Sequence, residues 1–260
     1  MAARLLPSLL RVAVTFSVAG LVCVPARADV VINTTRVIYP VKQNEVTIQL
    51  NNDEKVQPRL TQVWIDDGHV DKTPDQMQVP FQLTPPIFRL DAGKSQALRI
   101  VYMHEDGQRK PLPTDKESLF WLNVLSVPPR PANADGKNVL QFAIRSRIKF
   151  FFRPERLVGQ PEQAPSQLAW KLVSEGSEQA LEVHNPSGYH ISFSKIALAV
   201  DGKEFPSDAP PMLAPGSTAR YVLKSLGHPP PATASVHFSA VDDFGTVQHH
   251  TAKLASPGSW

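Results

Sequence analysis

The side chains best suited to chemistry in this 260-residue chain are eight histidines and one cysteine. A thiolate can be a nucleophile or a soft metal ligand, and an imidazole can be a base or a borderline ligand. Spacing argues against either use. His249 and His250 are adjacent, so on a strand they point to opposite faces and make a poor two-ligand site. The other six, His69, His104, His184, His190, His228 and His237, stand apart in sequence. No Gly-x-Ser-x-Gly elbow, phosphate loop, dinucleotide fingerprint or His-Glu-x-x-His pair occurs. These residues therefore point away from an enzyme, and the sequence implies no metal and no cofactor.

Cys23 falls in a segment that the mature protein is expected to lose. Residues 1–28 carry Arg4 and Arg11 ahead of an apolar run from Val12 to Val24, and end on the small-x-small triplet Ala26-Arg27-Ala28. That is the pattern of a cleaved secretory signal peptide, with the mature chain starting at Asp29. The apolar run is too short to span a bilayer and no later stretch approaches the required length, so a permanent membrane anchor is disfavoured. Lipidation at Cys23 fits less well, because the small residue Gly20 lies three places upstream of the thiol instead of next to it. Export into an oxidising compartment without a cysteine leaves the mature chain to hold itself together by packing.

The leader also accounts for the basic excess. The whole chain has 27 basic and 24 acidic residues, and loss of Arg4, Arg11 and Arg27 leaves the two signs equal. A neutral mature chain offers no electrostatic case for nucleic acid.

The elements that must position any site are short strands. With 42% hydrophobic residues the chain is neither disordered nor collagenous, and its 25 prolines leave few windows for a helix of ordinary length. Alternating or apolar runs occur at 30–39, 46–51, 60–65, 97–103, 119–127 and 139–152, punctuated by Pro, Gly, Asn and Asp. A second series starts near Leu168 and covers 181–184, 191–200, 218–223, 235–241 and 247–254, with hairpin turns expected at Gly202 and Gly245. The pattern predicts an all-β chain of two immunoglobulin-like sandwiches, residues 29–155 and 156–260, with the boundary where the run through Phe152 meets Pro154.

The run 139–152 is about twice the usual strand length. Leu140, Phe142 and Ile144 share one face by the two-residue period, and Ile148, Phe150 and Phe152 continue it. Either the whole face is core, or its first half projects apolar side chains for a partner. Spacing alone leaves both open.

Seven segments then carry a resemblance. They are Thr35-Arg36-Val37-Ile38-Tyr39, Thr84-Pro85-Pro86-Ile87-Phe88-Arg89-Leu90, Glu117-Ser118-Leu119-Phe120-Trp121-Leu122-Asn123, Val139-Leu140-Gln141, Ile148-Lys149-Phe150-Phe151-Phe152-Arg153-Pro154, His184-Asn185-Pro186-Ser187 and Asp242-Asp243-Phe244-Gly245. In this order they resemble the PapD-like periplasmic chaperones of the chaperone-usher pathway. The resemblance implies two sandwiches at an angle, a periplasmic location, pilus or fimbrial subunits and an outer-membrane usher as partners, and no cofactor or nucleotide.

The resemblance also assigns residues. Arg36 and Lys149 correspond to the cleft cations that bind the C-terminal carboxylate of a subunit, a use that suits charge-assisted hydrogen bonding. Leu140, Phe142 and Ile144 correspond to the donor strand that completes the subunit's unfinished sandwich. Glu117, Arg153 and Asp243 correspond to an ion network between the domains. Pro85 stands where the family has a cis peptide, and both isomers are open for Thr84-Pro85 on sequence grounds. The segment 128–138 before the donor strand is only slightly extended and free of cysteine, so it resembles the short-loop members more, whose clients are generally rod-like pili. A long unpaired strand invites association, so self-association of the free protein is expected to cover it. The competing reading is a secreted immunoglobulin-like adhesin or binding module, which would need neither the cation pair nor an exposed donor strand.

Overall fold

The computed structural model describes residues 29–103, 111–131, 140–175, 178–208, 211–224, 226 and 233–255. The expected leader and Val139 lie outside the described residues, as does most of the segment preceding the donor strand. Nine strands occur before residue 154: β1 (Val30–Ile32), β2 (Arg36–Pro40), β3 (Val46–Asn52), β4 (Arg59–Asp66), β5 (Phe81–Thr84), β6 (Ile87–Leu90), β7 (Ser95–Tyr102), β8 (Ser118–Val127) and β9 (Ile144–Arg153). They form a four-stranded sheet in the order β1-β3-β7-β5 and a five-stranded sheet in the order β2-β9-β8-β4-β6.

The first sandwich closes because alternate residues of both sheets are apolar. Leu98 and Ile100 of β7 and Phe120, Leu122 and Val124 of β8 point inward and are buried. An aromatic cluster of Tyr39, Phe81, Phe120, Phe150 and Phe152 fills the middle, with Phe81 packed edge-on against Phe150 at 4.7 Å between ring centres. Thr84-Pro85 is cis and joins β5 to β6, carrying the chain from one sheet to the other.

The second sandwich repeats the plan, with seven strands among the described residues: β10 (Ala169–Glu175), β11 (Glu178–His184), β12 (Ser192–Val200), β13 (Lys203–Pro206), β14 (Thr218–Val222), β15 (Ser235–Val241) and β16 (Val247–Lys253). Sheets β10-β11-β14 and β13-β12-β15-β16 enclose Trp170, Phe193, Tyr221 and Phe238. Gly202 and Gly245 sit in the expected hairpins with φ of 80° and 86°, where a residue with a Cβ is strained.

Three features differ from the sequence expectation. The run 30–39 is two strands, because the chain leaves the sheet of β3 at Asn33 and joins β9 from Arg36 onward. Strands β5, β6 and β13 had no alternating signal long enough to mark them. The run 139–152 is a strand only from Ile144, so Leu140 and Phe142 precede β9 instead of lying in it. Residues 140–143 have no ladder among the described residues, and so lack the hydrogen bonds that would hold them extended.

Candidate functional site: the cleft between the sandwiches

Strand β2 runs parallel to β9, and its register sets Arg36 directly opposite Lys149. Their side chains share a face, and both reach the second sandwich. The Lys149 ammonium donates to Ser192 Oγ at 2.7 Å, and Arg36 Nη1 donates to the Val241 carbonyl at 2.8 Å. Ser192 and Val241 are themselves paired across β12 and β15, so a cross-strand pair of one domain meets a cross-strand pair of the other.

Two cations in one row, partly shielded from water, disfavour each other's charge. Burial, with a smaller contribution from Arg36, pushes the Lys149 ammonium down to about 8 from 10.5. Burial also lowers Arg36, against opposition from Asp243, Asp242 and Glu117. Among the described residues Lys149 forms no salt bridge, and Arg36 Nε is buried without a hydrogen-bond partner. The Lys149 ammonium thus meets only a neutral hydroxyl and Arg36 keeps one unused donor, which suits the pair to donate charge-assisted hydrogen bonds to an added anion.

The second feature is an edge. Strand β2 pairs with β9 only from Lys149 to Arg153, while β8 flanks β9 along Ile144–Phe152. Residues 144–148 thus have one paired side and one free side among the described strands. Leu140 and Phe142 just before them and Ile144 at their start are exposed by 78%, 70% and 50%. The structure decides between the two sequence readings of this face: Phe150 and Phe152 are core, whereas the first three side chains are presented to solvent.

The third feature is an ion network that crosses between the sandwiches. Arg153 at the end of β9 donates Nε to Glu117 Oε1 at 2.8 Å and places Nη1 and Nη2 on the two Asp243 oxygens at 2.6 and 2.9 Å. Burial would lower Arg153, but the Asp243 and Glu117 carboxylates outweigh it and raise the guanidinium above its ordinary value. Glu117 also accepts from the His190 backbone N–H at 2.8 Å. At the turn after β15, Gly245 lies so close to Thr35 that a Cβ would sit 2.3 Å from the threonine hydroxyl. A cavity of about 330 Å3 lies beside this network, bordered by Arg36, Glu117, Arg153, Tyr189, His190 and Asp243 among others. Lys149 and the three apolar residues are not on its wall, so the cavity meets the cation pair at Arg36 alone and is not the groove along the free edge.

Sequence reasoning missed Ser192, His190 and Thr35 as partners across the domain boundary. Ser192 is an ordinary strand residue and Thr35 and His190 lie in connections, and their contacts arise only when the two sandwiches meet. Phe151 carried a faint signal, being apolar on the wrong parity for the first core; it packs against His190 with ring centres 5.5 Å apart.

Comparison with known proteins gives a consistent set of relatives. Residues 29–158 match the family described as pili and flagellar-assembly chaperone, PapD N-terminal domain, and residues 163–252 match the pili assembly chaperone PapD, C-terminal domain. The chain is 45% identical over 231 residues to the chaperone protein FimB/FhaD of Bordetella pertussis, covering 88% of this chain and 90% of that one. It is 40% identical over 230 residues to the probable fimbrial chaperone YadV of Escherichia coli, covering 87% and 90%. The crystal structure of the YadV chaperone superposes with a TM-score of 0.73 at 39% identity, covering 87% of this chain and all of that one. A structure of the Salmonella enterica SafA pilin in complex with the SafB chaperone matches with a TM-score of 0.67 at 27% identity, covering 87% and 96%.

Proposed function

Because the chain belongs to the PapD-like family of pilus-assembly chaperones and is a fimbrial chaperone, we propose that it holds a pilus subunit through the free edge of β9 and the Arg36–Lys149 pair acting together. The observation that carries this is their collinearity. Strand β2 begins opposite Lys149, where the free edge of β9 stops. A chain added to that edge in the same direction as β9 would run out at this point, with its C-terminal carboxylate against both cations. A chain added in the opposite direction would bring a terminal ammonium there and be repelled.

Main-chain hydrogen bonds along the edge supply pairing that is indifferent to side chains, and Leu140, Phe142 and Ile144 fill apolar pockets in the partner. Full burial of such side chains is worth about 1.5–3 kcal/mol each before the cost of ordering residues 140–143. The carboxylate fixes which residue of the subunit lies opposite which residue of β9. Register matters because a slip of one residue would turn all three apolar side chains to the wrong face.

The remaining assignments complete the proposal. Glu117, Arg153 and Asp243 hold the angle of the cleft, and the domains divide between residues 155 and 156. The leader directs the chain to the periplasm, where the loaded protein hands its subunit to an outer-membrane usher. Without a subunit, self-association covers the free edge. An immunoglobulin-like adhesin would use neither the cation pair nor the edge, and the family membership disfavours that alternative.

The test is affinity purification of the mature protein from the periplasm of its native host, comparing wild type with Lys149→Ala. Small β-rich subunits should accompany the wild type and be lost from the folded variant. Retention of the same partners by Lys149→Ala would refute the carboxylate anchor.

A further inference from the structure

The outer face of the five-stranded sheet carries a charge cluster apart from the cleft network. Asp66, at the end of β4, has no solvent exposure. Its carboxylate accepts from the Gly68 N–H at 2.7 Å, from Asn123 Nδ2 at 2.7 Å, and from Arg147 Nη2 and Nε at 2.6 and 3.1 Å. Arg145 joins it, with Nη2 3.5 Å from Asp66 and Nε donating to Asn123 Oδ1 at 2.9 Å. Each guanidinium also lies over an indole, Arg145 4.9 Å from the Trp64 ring centre and Arg147 4.0 Å from that of Trp121.

Arg145 and Arg147 are the odd-numbered residues of β9 immediately after the apolar triplet, and the triplet is even-numbered. Holding this face of β9 sets where Ile144 points and the direction in which the chain leaves the strand toward Phe142 and Leu140. Gln141 extends the same side, donating Nε2 to the Pro128 carbonyl at 2.6 Å. We propose that Asp66 is a positioning residue for subunit capture: through Arg145 and Arg147 it fixes the rotation of β9 so that Leu140, Phe142 and Ile144 face the incoming subunit. The inference rests on the donor-strand reading of the triplet. It adds that the triplet's orientation is set by a buried carboxylate on β4.

The energetic logic favours this role over general stability. A buried ion cluster contributes little net stability but is costly to break on one side only, and its two-oxygen contact with Arg147 admits one geometry. Among the described strands the free edge of β9 has no second neighbour at 144–148, so on this outer face the cluster adds to what β8 alone supplies.

The experiment uses the full mature chain as wild type, Asp66→Asn and Arg147→Lys. The subunit that co-purifies with the wild type is unfolded in urea and diluted into each chaperone, and its rate of capture is recorded. Amide hydrogen exchange is followed in parallel. Capture should slow at least tenfold in both variants, and exchange should rise at least tenfold at 144–148 but stay unchanged in the second sandwich. Wild-type capture rates in a folded variant would overturn the inference, as would slower capture accompanied by faster exchange throughout both domains, which marks a merely structural role. If Asp66→Asn does not fold, Arg147→Lys at the partly exposed end of the contact decides the matter. A wild type that captures no subunit would instead overturn the donor-strand reading on which the inference rests.

Discussion

Arg36 and Lys149 stand directly opposite each other on parallel strands, two like charges in one row, each bonded to one member of the Ser192–Val241 pair of the other sandwich. Such an arrangement costs the free protein stability and, on the proposed function, returns it as affinity for a carboxylate. Both consequences can be measured.

Replacing Lys149 by Met should stabilise the free protein at neutral pH. The folded-state ammonium titrates at about 8, below its ordinary value of 10.5, so between those values the unfolded chain holds a proton that the folded chain has released. Stability of the wild type therefore rises as pH goes from 8 to 10.5, and the cost is fully present below 8. The lysine keeps part of its water, so the gain from Lys149→Met is limited to about 1 kcal/mol. Urea unfolding at pH 7 and pH 10 should show a difference for the wild type that the variant lacks.

Subunit binding should carry the opposite pH dependence. A carboxylate needs the charged ammonium, so affinity should be flat below pH 8 and fall above it, by up to tenfold per unit until the pKa of the bound state is reached. Titration calorimetry with a peptide copying the last strand of a co-purified subunit would record the profile. A constant affinity from pH 7 to pH 10 would contradict it.

Changing Phe142 to Asp should leave the fold intact and remove subunit binding. The side chain is 70% exposed, so equilibrium stability should move by no more than about 0.5 kcal/mol. Burying the new carboxylate in an apolar subunit pocket would be prohibitive. Chemical unfolding and co-purification together check both halves.

Removal of Arg153 should be among the most damaging single changes. Arg153→Ala leaves Glu117, whose side chain is 2% exposed, without its cation, a loss of about 3–5 kcal/mol. Asp243→Asn should cost less, since its side chain is 25% exposed and it retains an acceptor for the guanidinium. Small-angle scattering of Asp243→Asn should report a broader distribution of domain angles.

The sequence carried the all-β architecture, the hairpins at Gly202 and Gly245 and the parity that sets Leu140, Phe142 and Ile144 on one face, because these depend on local periodicity. It did not carry the start of β9, because residues 140–143 continue the alternation but have no partner strand among the described residues. Nor could periodicity single out Arg36 or Lys149, which read as solvated strand charges until the motifs around them were matched. Asp66 was hidden for a different reason. It sits in an ordinary Ile65-Asp66-Asp67-Gly68 turn entry, and its partners Asn123, Arg145 and Arg147 lie 57 to 81 residues away.

The most direct test of the central claim is the affinity of that last-strand peptide as the free acid and as the C-terminal amide, measured on wild type and Lys149→Ala at pH 7. The account predicts that the acid binds the wild type at least a hundredfold more tightly than the amide, and that the difference disappears in Lys149→Ala. Equal binding of acid and amide by the wild type would contradict it, leaving the edge of β9 without an anchor at Arg36 and Lys149.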